Sequence, residues 1–160
     1  MQRRKLVGIG NYQFGNRAGE ALFDGNVEIE CSRKTGRIRH VYIRSKLVAT
    51  LRPRDGFIAL TPAGAEIILN RVRNAPNVVT VDSDVGESIR VGGDVFAKHV
   101  VAADQWLRPG EEAIVTDEHG TLLGVGSAVL AGHEMTAFKR GVAVNVRKGV
   151  DEDGPVGPAA

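Results

Sequence analysis

Four histidines, one cysteine and nineteen carboxylates are the side chains of this 160-residue sequence that could carry metal or covalent chemistry. Zinc sites need cysteines or histidines at short, set spacings. His40, His99, His119 and His133 are scattered at no such spacing, and Cys31 stands alone. They read as surface or locally bonded side chains, and no metal or cofactor is expected. Gly8, Gly10 and Gly15 imitate a phosphate loop only loosely: they precede any strand, and no Gly-Lys-Ser/Thr follows. Gly124 and Gly126 lie inside a strand-like run, where glycine marks a bulge or close approach. There is no Gly-x-Ser-x-Gly elbow, and no carboxylate pair stands out as a general acid and base. The chain does not read as an enzyme by itself.

What remains is cation chemistry. Arginine and lysine head groups hold phosphate oxygens through charge-assisted hydrogen bonds, and here they cluster twice. The run Ser32-Arg-Lys-Thr-Gly-Arg-Ile-Arg39 gathers Arg33, Lys34, Arg37 and Arg39. Residues 135–150 hold Lys139, Arg140, Arg147 and Lys148 and no acid. The net charge of +2 hides an asymmetry, with 14 Lys/Arg against 6 Asp/Glu in residues 1–76 and 7 against 13 in residues 77–160. A basic first half suits a polyanionic partner. Two plainer readings compete with phosphate contact. If Thr35-Gly36 is a two-residue turn, Arg37 and Arg39 share a face with Glu28 and Glu30 as an ion-pair ladder, although two acids cannot neutralise four bases. Arg147 and Lys148 could merely solvate a strand end.

The elements that must position these clusters can be read from periodicity and turn chemistry. A first helix over the opening dozen residues places Leu6, Ile9 and Phe14 together, weakened by Gly8 and Gly10. Strands follow at Val27–Ser32 and Ile38–Ile43 around the Lys34–Arg37 turn, then at Lys46–Leu51 and Phe57–Thr61 around Pro53-Arg-Asp-Gly56. Thr61 caps a helix that Pro62 begins and that runs to about Arg73. Asn74-Ala-Pro-Asn77 breaks it and is the expected domain boundary. Beyond it come a strand at Val78–Val81, a helix at Val95–Ala103, strands at Ala113–Thr116 and Thr121–Leu130 around Asp117-Glu-His-Gly120, and a last strand at Val142–Arg147. The fold expected is an α+β module over 1–76, then a small, mostly-β closed barrel over 77–150. Residues 151–160, acidic and rich in Pro and Gly, read as a disordered tail. No internal repeat stands out. Tyr12, Phe14, Phe23 and Phe57 read first as core side chains, with stacking on bases as the alternative. Trp106 reads as a plug of the barrel and Cys31 as a buried bystander. No apolar run approaches the roughly 20 residues of a membrane span, and no signal-peptide core follows the basic start, so a cytoplasmic location is expected.

The later part of the chain contains Gly93-Asp-Val-Phe-Ala-Lys-His-Val100, Leu107-Arg-Pro-Gly-Glu-Glu-Ala-Ile-Val115, Gly120-Thr-Leu-Leu-Gly-Val-Gly-Ser-Ala-Val-Leu130 and Lys139-Arg-Gly-Val-Ala-Val-Asn-Val-Arg147. In that order it resembles a PUA domain, a pseudo-barrel of RNA-modifying proteins. Tyr12-Gln-Phe-Gly15, Gly19-Glu-Ala-Leu-Phe23, Ser32–Arg39 and Leu51-Arg-Pro-Arg-Asp-Gly-Phe57 resemble the pre-PUA region of archaeal tRNA-guanine transglycosylases and their archaeosine-pathway relatives. The resemblance covers about residues 5–150. It implies RNA along the first PUA helix and last strand, which points to Gly92, Gly93, Phe96, Lys98 and His99 and to Lys139, Arg140 and Gly141. Many PUA domains have glycine where His99 stands. The family's catalytic TIM barrel needs about 250 residues and has no counterpart here. Three functions are therefore implied: a tRNA-binding protein supporting base modification, an obligate non-catalytic subunit serving a separate catalytic chain, or a protein-binding barrel with no RNA role.

Overall fold

The computed structural model describes residues 2–152. The chain divides into two compact units, Met1–Pro76 and Asn77–Ala160. Most of the tail read as disordered lies outside the described residues.

The first unit is a pair of helices on a four-stranded antiparallel meander. Helix α1 (Gln2–Phe14) and the short α2 (Ala18–Leu22) precede β1 (Val27–Cys31), β2 (Ile38–Ile43), β3 (Lys46–Leu51) and β4 (Ile58–Leu60), which pair in chain order. Helix α3 (Pro62–Arg71) completes it. The glycines that weaken α1 in sequence earn their place in packing. Gly10 and Gly19 form the crossing of α1 and α2, where a methyl group on Gly19 would strike the Val7 carbonyl. Asn11 bridges the same crossing, its Oδ1 accepting from Gly19 N–H at 2.7 Å. Leu6, Phe14, Leu22, Phe23, Val41, Ile58 and Ile68 are fully buried around it.

The Tyr-Gln-Phe-Gly run divides its labour. Phe14 enters the core, and Gly15, at φ 96°, ends the helix with its N–H on Asn11 O. Gln13 pairs its amide with the edge strand β4, donating to Ile58 O at 3.0 Å and accepting from Ile58 N–H at 2.7 Å. A side chain thus takes the place of a fifth strand at an otherwise open edge. Thr61 caps α3 as expected, accepting from Gly64 N–H at 3.2 Å, with Pro62 in the first turn.

The β1–β2 and β3–β4 connections share one geometry. Ser32 N–H donates to Arg37 O at 2.8 Å and Arg52 N–H to Phe57 O at 2.9 Å. Gly36 N–H reaches Ser32 O and Gly56 N–H reaches Arg52 O, both at 2.8 Å, with the glycines at φ 72° and 75°. The expected two-residue turn is therefore a four-residue loop, and its conformation recurs, although no sequence repeat announces it. A bulge leaves Arg39 without a partner on β1, so Glu30 faces His40 rather than an arginine. The predicted Arg37/Arg39 ladder on Glu28 and Glu30 is not formed. His40 Nδ1 lies 2.5 Å from Glu30 Oε1 instead. Cys31 is half-buried rather than buried, with the Gln2 amide 3.4 Å from its sulfur.

The second unit is a six-stranded sheet in the order β6-β10-β9-β8-β5-β7, formed by β5 (Val78–Val81), β6 (Val95–Phe96), β7 (Val100–Ala103), β8 (Glu112–Thr116), β9 (Leu122–Ala128) and β10 (Val142–Gly149). All pairs are antiparallel except β5 with β8. Strands β6 and β7 stand at opposite ends of that order, yet only Ala97–His99, a 3-10 turn, separates them in sequence. Three residues span about 10 Å at most, so the sheet must curl until its ends meet. This is the closure expected of a pseudo-barrel.

One element differs from the expected fold. The helix expected over 95–103 is strand, turn and strand, while helix α4 (Gly86–Arg90) lies just upstream. Val95, Ala97 and Val100 are buried while Phe96 and Lys98 are exposed. That near-alternation, with β-branched Val100 and Val101, fits a pleated strand. The remaining helix, α5 (Gly132–Met135), precedes β10. Trp106 is 88% exposed and plugs nothing. Leu107, 2% exposed, and Met135 fill the barrel there.

Candidate nucleic-acid interface

In the second unit the sequence-selected residues separate into three groups. Lys139, Arg140 and Gly141 form the turn before β10, and Phe96 pairs with Val142 on the neighbouring edge strand β6. Gly141, at φ 91°, leaves open space on its side-chain face while its carbonyl accepts from Ala97 N–H. Lys98 is exposed, and His99 is half-buried with its carbonyl accepting from Asp82 N–H. Phe96 and Phe138, each nearly half exposed, add apolar surface beside these cations. Phe138 is one that sequence reasoning missed, although an aromatic directly before Lys139-Arg140 was a usable signal.

Gly92 and Gly93 belong to a different setting. A methyl group on Gly92 would meet the Glu152 carboxylate, and one on Gly93 would meet Ser88. Their bare backbones make room for the fold's own groups, one of them an acid.

Arg147 is engaged within the fold. A bulge between Val146 and Lys148 makes it the extra residue of β10, and bulges re-aim side chains. Its guanidinium crosses β9 to Glu112 on β8 and grips it with two bonds, Nη2–Oε1 at 2.6 Å and Nη1–Oε2 at 3.1 Å. Glu112 is 1% exposed. A carboxylate so buried requires such a partner. Lys148, the next residue, is half-buried beside it.

In the first unit, Arg33 and Lys34 sit at the tip of the β1–β2 loop, and Arg37 and Arg39 lie at its return. In an antiparallel meander the β1–β2 and β3–β4 loops leave the same end of the sheet. Between them lies a cleft of about 170 Å³ bordered by Arg37 and Arg39, by Arg52 of the second loop and by Lys5 of α1. Lys5 was not selected from sequence, because it does not adjoin the basic run, and Arg52, with Arg54, is only a weaker candidate of the second turn there.

Two carboxyl groups are held below the ordinary carboxylate range, for local reasons. For Glu20 the main cause is a side-chain hydrogen bond from Asn11. For Asp117, burial opposes ionisation but is outweighed by the Thr121 and His119 N–H groups of its turn. Neither is a catalytic signature. Among the described residues no group of three or more His, Cys, Asp or Glu side chains is placed to hold a metal, and no helix is long and apolar enough to cross a membrane.

Comparison with known proteins places these features. Residues 4–74 match the patch-forming domain C2 of tRNA-guanine transglycosylase, and residues 77–150 match the PUA domain. The chain is 39% identical over 147 residues to the tRNA-guanine(15) transglycosylase of Methanobrevibacter smithii, covering 92% of this chain and 22% of that protein. With the enzyme of that name from Thermococcus kodakarensis it is 41% identical over 151 residues, 94% of this chain and 26% of the relative. The chain thus spans about a quarter of the length of these relatives. A hypothetical protein of Pyrococcus horikoshii has the same fold, with a TM-score of 0.75 at 22% identity, over 92% of this chain and 89% of that one. The chain joins a C2 domain of the tRNA-guanine transglycosylase kind to a PUA domain, and it corresponds to the C-terminal pre-PUA and PUA region of the archaeal enzymes.

Proposed function

We propose that this chain binds tRNA and supports modification of one of its bases, supplying the grip rather than the chemistry. The observation that carries this reading is the ordered pairing of the two domains, matched over 92% of the chain to a tRNA-guanine(15) transglycosylase. In the PUA unit the contacts would come from Lys139 and Arg140, with Phe96 and Lys98 beside them and the open backbone at Gly141. In the C2 unit they would come from Arg33, Lys34, Arg37 and Arg39. Arg147 and Gly92 support it least, since Glu112 and Glu152 already occupy them. Titration of folded tRNA at rising salt tests the reading. Log affinity should fall linearly with log salt, because each phosphate contact releases counterions. Weak binding that ignores salt would sink it.

A second reading is that the grip serves a separate catalytic chain. It is motivated by the match of the two units to a patch-forming domain of a transglycosylase and to a PUA domain. Co-purification with a chain carrying transglycosylase activity is the expected outcome. Unchanged base modification in a deletion strain would count against it.

A further inference from the structure

The cleft between the two hairpin loops differs in composition from two other hollows of this unit. Lys5, Arg37, Arg39 and Arg52 border it, and no carboxylate does. A neighbouring hollow around Arg33 and Lys34 includes Glu30, and another around Arg44 and Arg71 includes Asp24 and Glu66. Ser32 and Thr35 also line the cleft. Their hydroxyl oxygens already accept from loop N–H groups, Ser32 Oγ from Lys34 and Thr35, and Thr35 Oγ1 from Arg37. Each hydroxyl therefore keeps its proton to donate. Arg52 Nε is buried without an acceptor: Asp55 Oδ1 lies 3.3 Å away, but the N–H does not point at it. Four cations and two hydroxyl donors around a space of about 170 Å³ suit a tetrahedral oxyanion.

An aromatic step adjoins the cleft. Tyr12 lies flat on Phe57, with ring centroids 5.8 Å apart and planes 11° from parallel. Tyr12 is nevertheless 75% exposed, so its outer face is open. Phe57 follows Gly56, which lines the cleft, and its carbonyl accepts from Arg52 N–H. Lys5 and Tyr12 are seven residues apart on α1, so they share one face about 10 Å apart. We propose that this end of the C2 unit is a nucleotide-binding step, in which the cleft holds one phosphate of a single RNA strand and Tyr12 stacks the adjacent base. The inference rests on the RNA-binding reading above and adds a site to it.

The test uses the full chain, a single-stranded RNA hexamer, folded tRNA and inorganic phosphate. Binding of the hexamer should move the Tyr12 ring protons upfield in NMR spectra. Tyr12→Ala should weaken hexamer binding about tenfold, whereas Tyr12→Phe keeps the ring and should restore it. Lys5→Ala and Arg37→Ala should each lower the salt slope by about one. All three side chains are exposed, so the variants should keep their fold. If wild-type chain fails to bind folded tRNA in a salt-dependent way, the functional reading falls. If it binds tRNA and loses it on Lys139→Glu/Arg140→Glu, while Tyr12→Ala, Lys5→Ala and Arg37→Ala change nothing, the step alone is overturned. Saturable inorganic phosphate binding, with hexamer binding indifferent to Tyr12→Ala, would reduce the cleft to a free-anion site and overturn it equally.

Discussion

Both units expose positive charge, but they manage it in opposite ways. In the C2 unit, cations from one helix and two loops converge on a hollow whose lining contains no acid, although Asp55 lies 3.3 Å from Arg52. In the PUA unit, Arg147 is bound by buried Glu112, Glu152 covers Gly92, and the Lys139–Gly141 turn with Phe96 and Lys98 presents charge outward. The halves differ in sequence as +8 against −6. The structural difference is finer than that sum. What decides whether a cation can meet a ligand is where the nearest acid has been placed.

The largest effect should come from breaking the internal pair of the PUA unit. Arg147→Ala removes the bidentate partner of a buried carboxylate, and chemical denaturation should show a loss of about 3 kcal/mol. That figure sits at the lower end of such losses because the arginine is itself partly exposed. An RNA affinity changed without loss of stability would instead place Arg147 with the outward cations. Next, Gln13→Ala removes both bonds to Ile58 and leaves the β4 edge unpaired, and it should cost about 2 kcal/mol. The same substitution should leave salt-dependent tRNA binding by the PUA unit intact. A smaller effect is expected from Lys139→Glu/Arg140→Glu, about a tenfold loss of tRNA affinity and a shallower salt slope, measured by titration with stability unchanged. Smallest of all, Trp106→Ala should shift stability by no more than about 0.5 kcal/mol, since the ring is solvent-facing.

Much of the fold was legible because local chemistry and tertiary packing agree in the first unit. Thr61-Pro62 favours a helix start, and here it caps α3, while Gly36 and Gly56 turn with φ near 70°. The 95–103 segment was not legible. Its alanines and lysine read as helical, yet pairing with β10 on one side and β5 on the other fixes it as strand, and sequence proximity contains no trace of those partners. The same limit applies to the site. The Ser32–Arg39 run announced its own cations, but Lys5 and Arg52 join them only through the meander that brings the two loops together. Trp106 misled because a lone tryptophan is so often buried, and the adjacent Leu107 took that role.

The paired loops have a consequence for how such a surface can change over time. Each is held by two backbone hydrogen bonds and one left-handed glycine, and the third tip residue adds a side-chain bond, Thr35 Oγ1 accepting from Arg37 N–H and Asp55 Oδ1 from Phe57 N–H. Arg33-Lys-Thr in one and Pro53-Arg-Asp in the other already show different chemistry on one frame. The first two tip positions can therefore exchange charge, size or polarity while the third keeps its backbone bond. Two such interchangeable cassettes side by side give the C2 unit a recognition face that can drift toward new partners while its scaffold stands still.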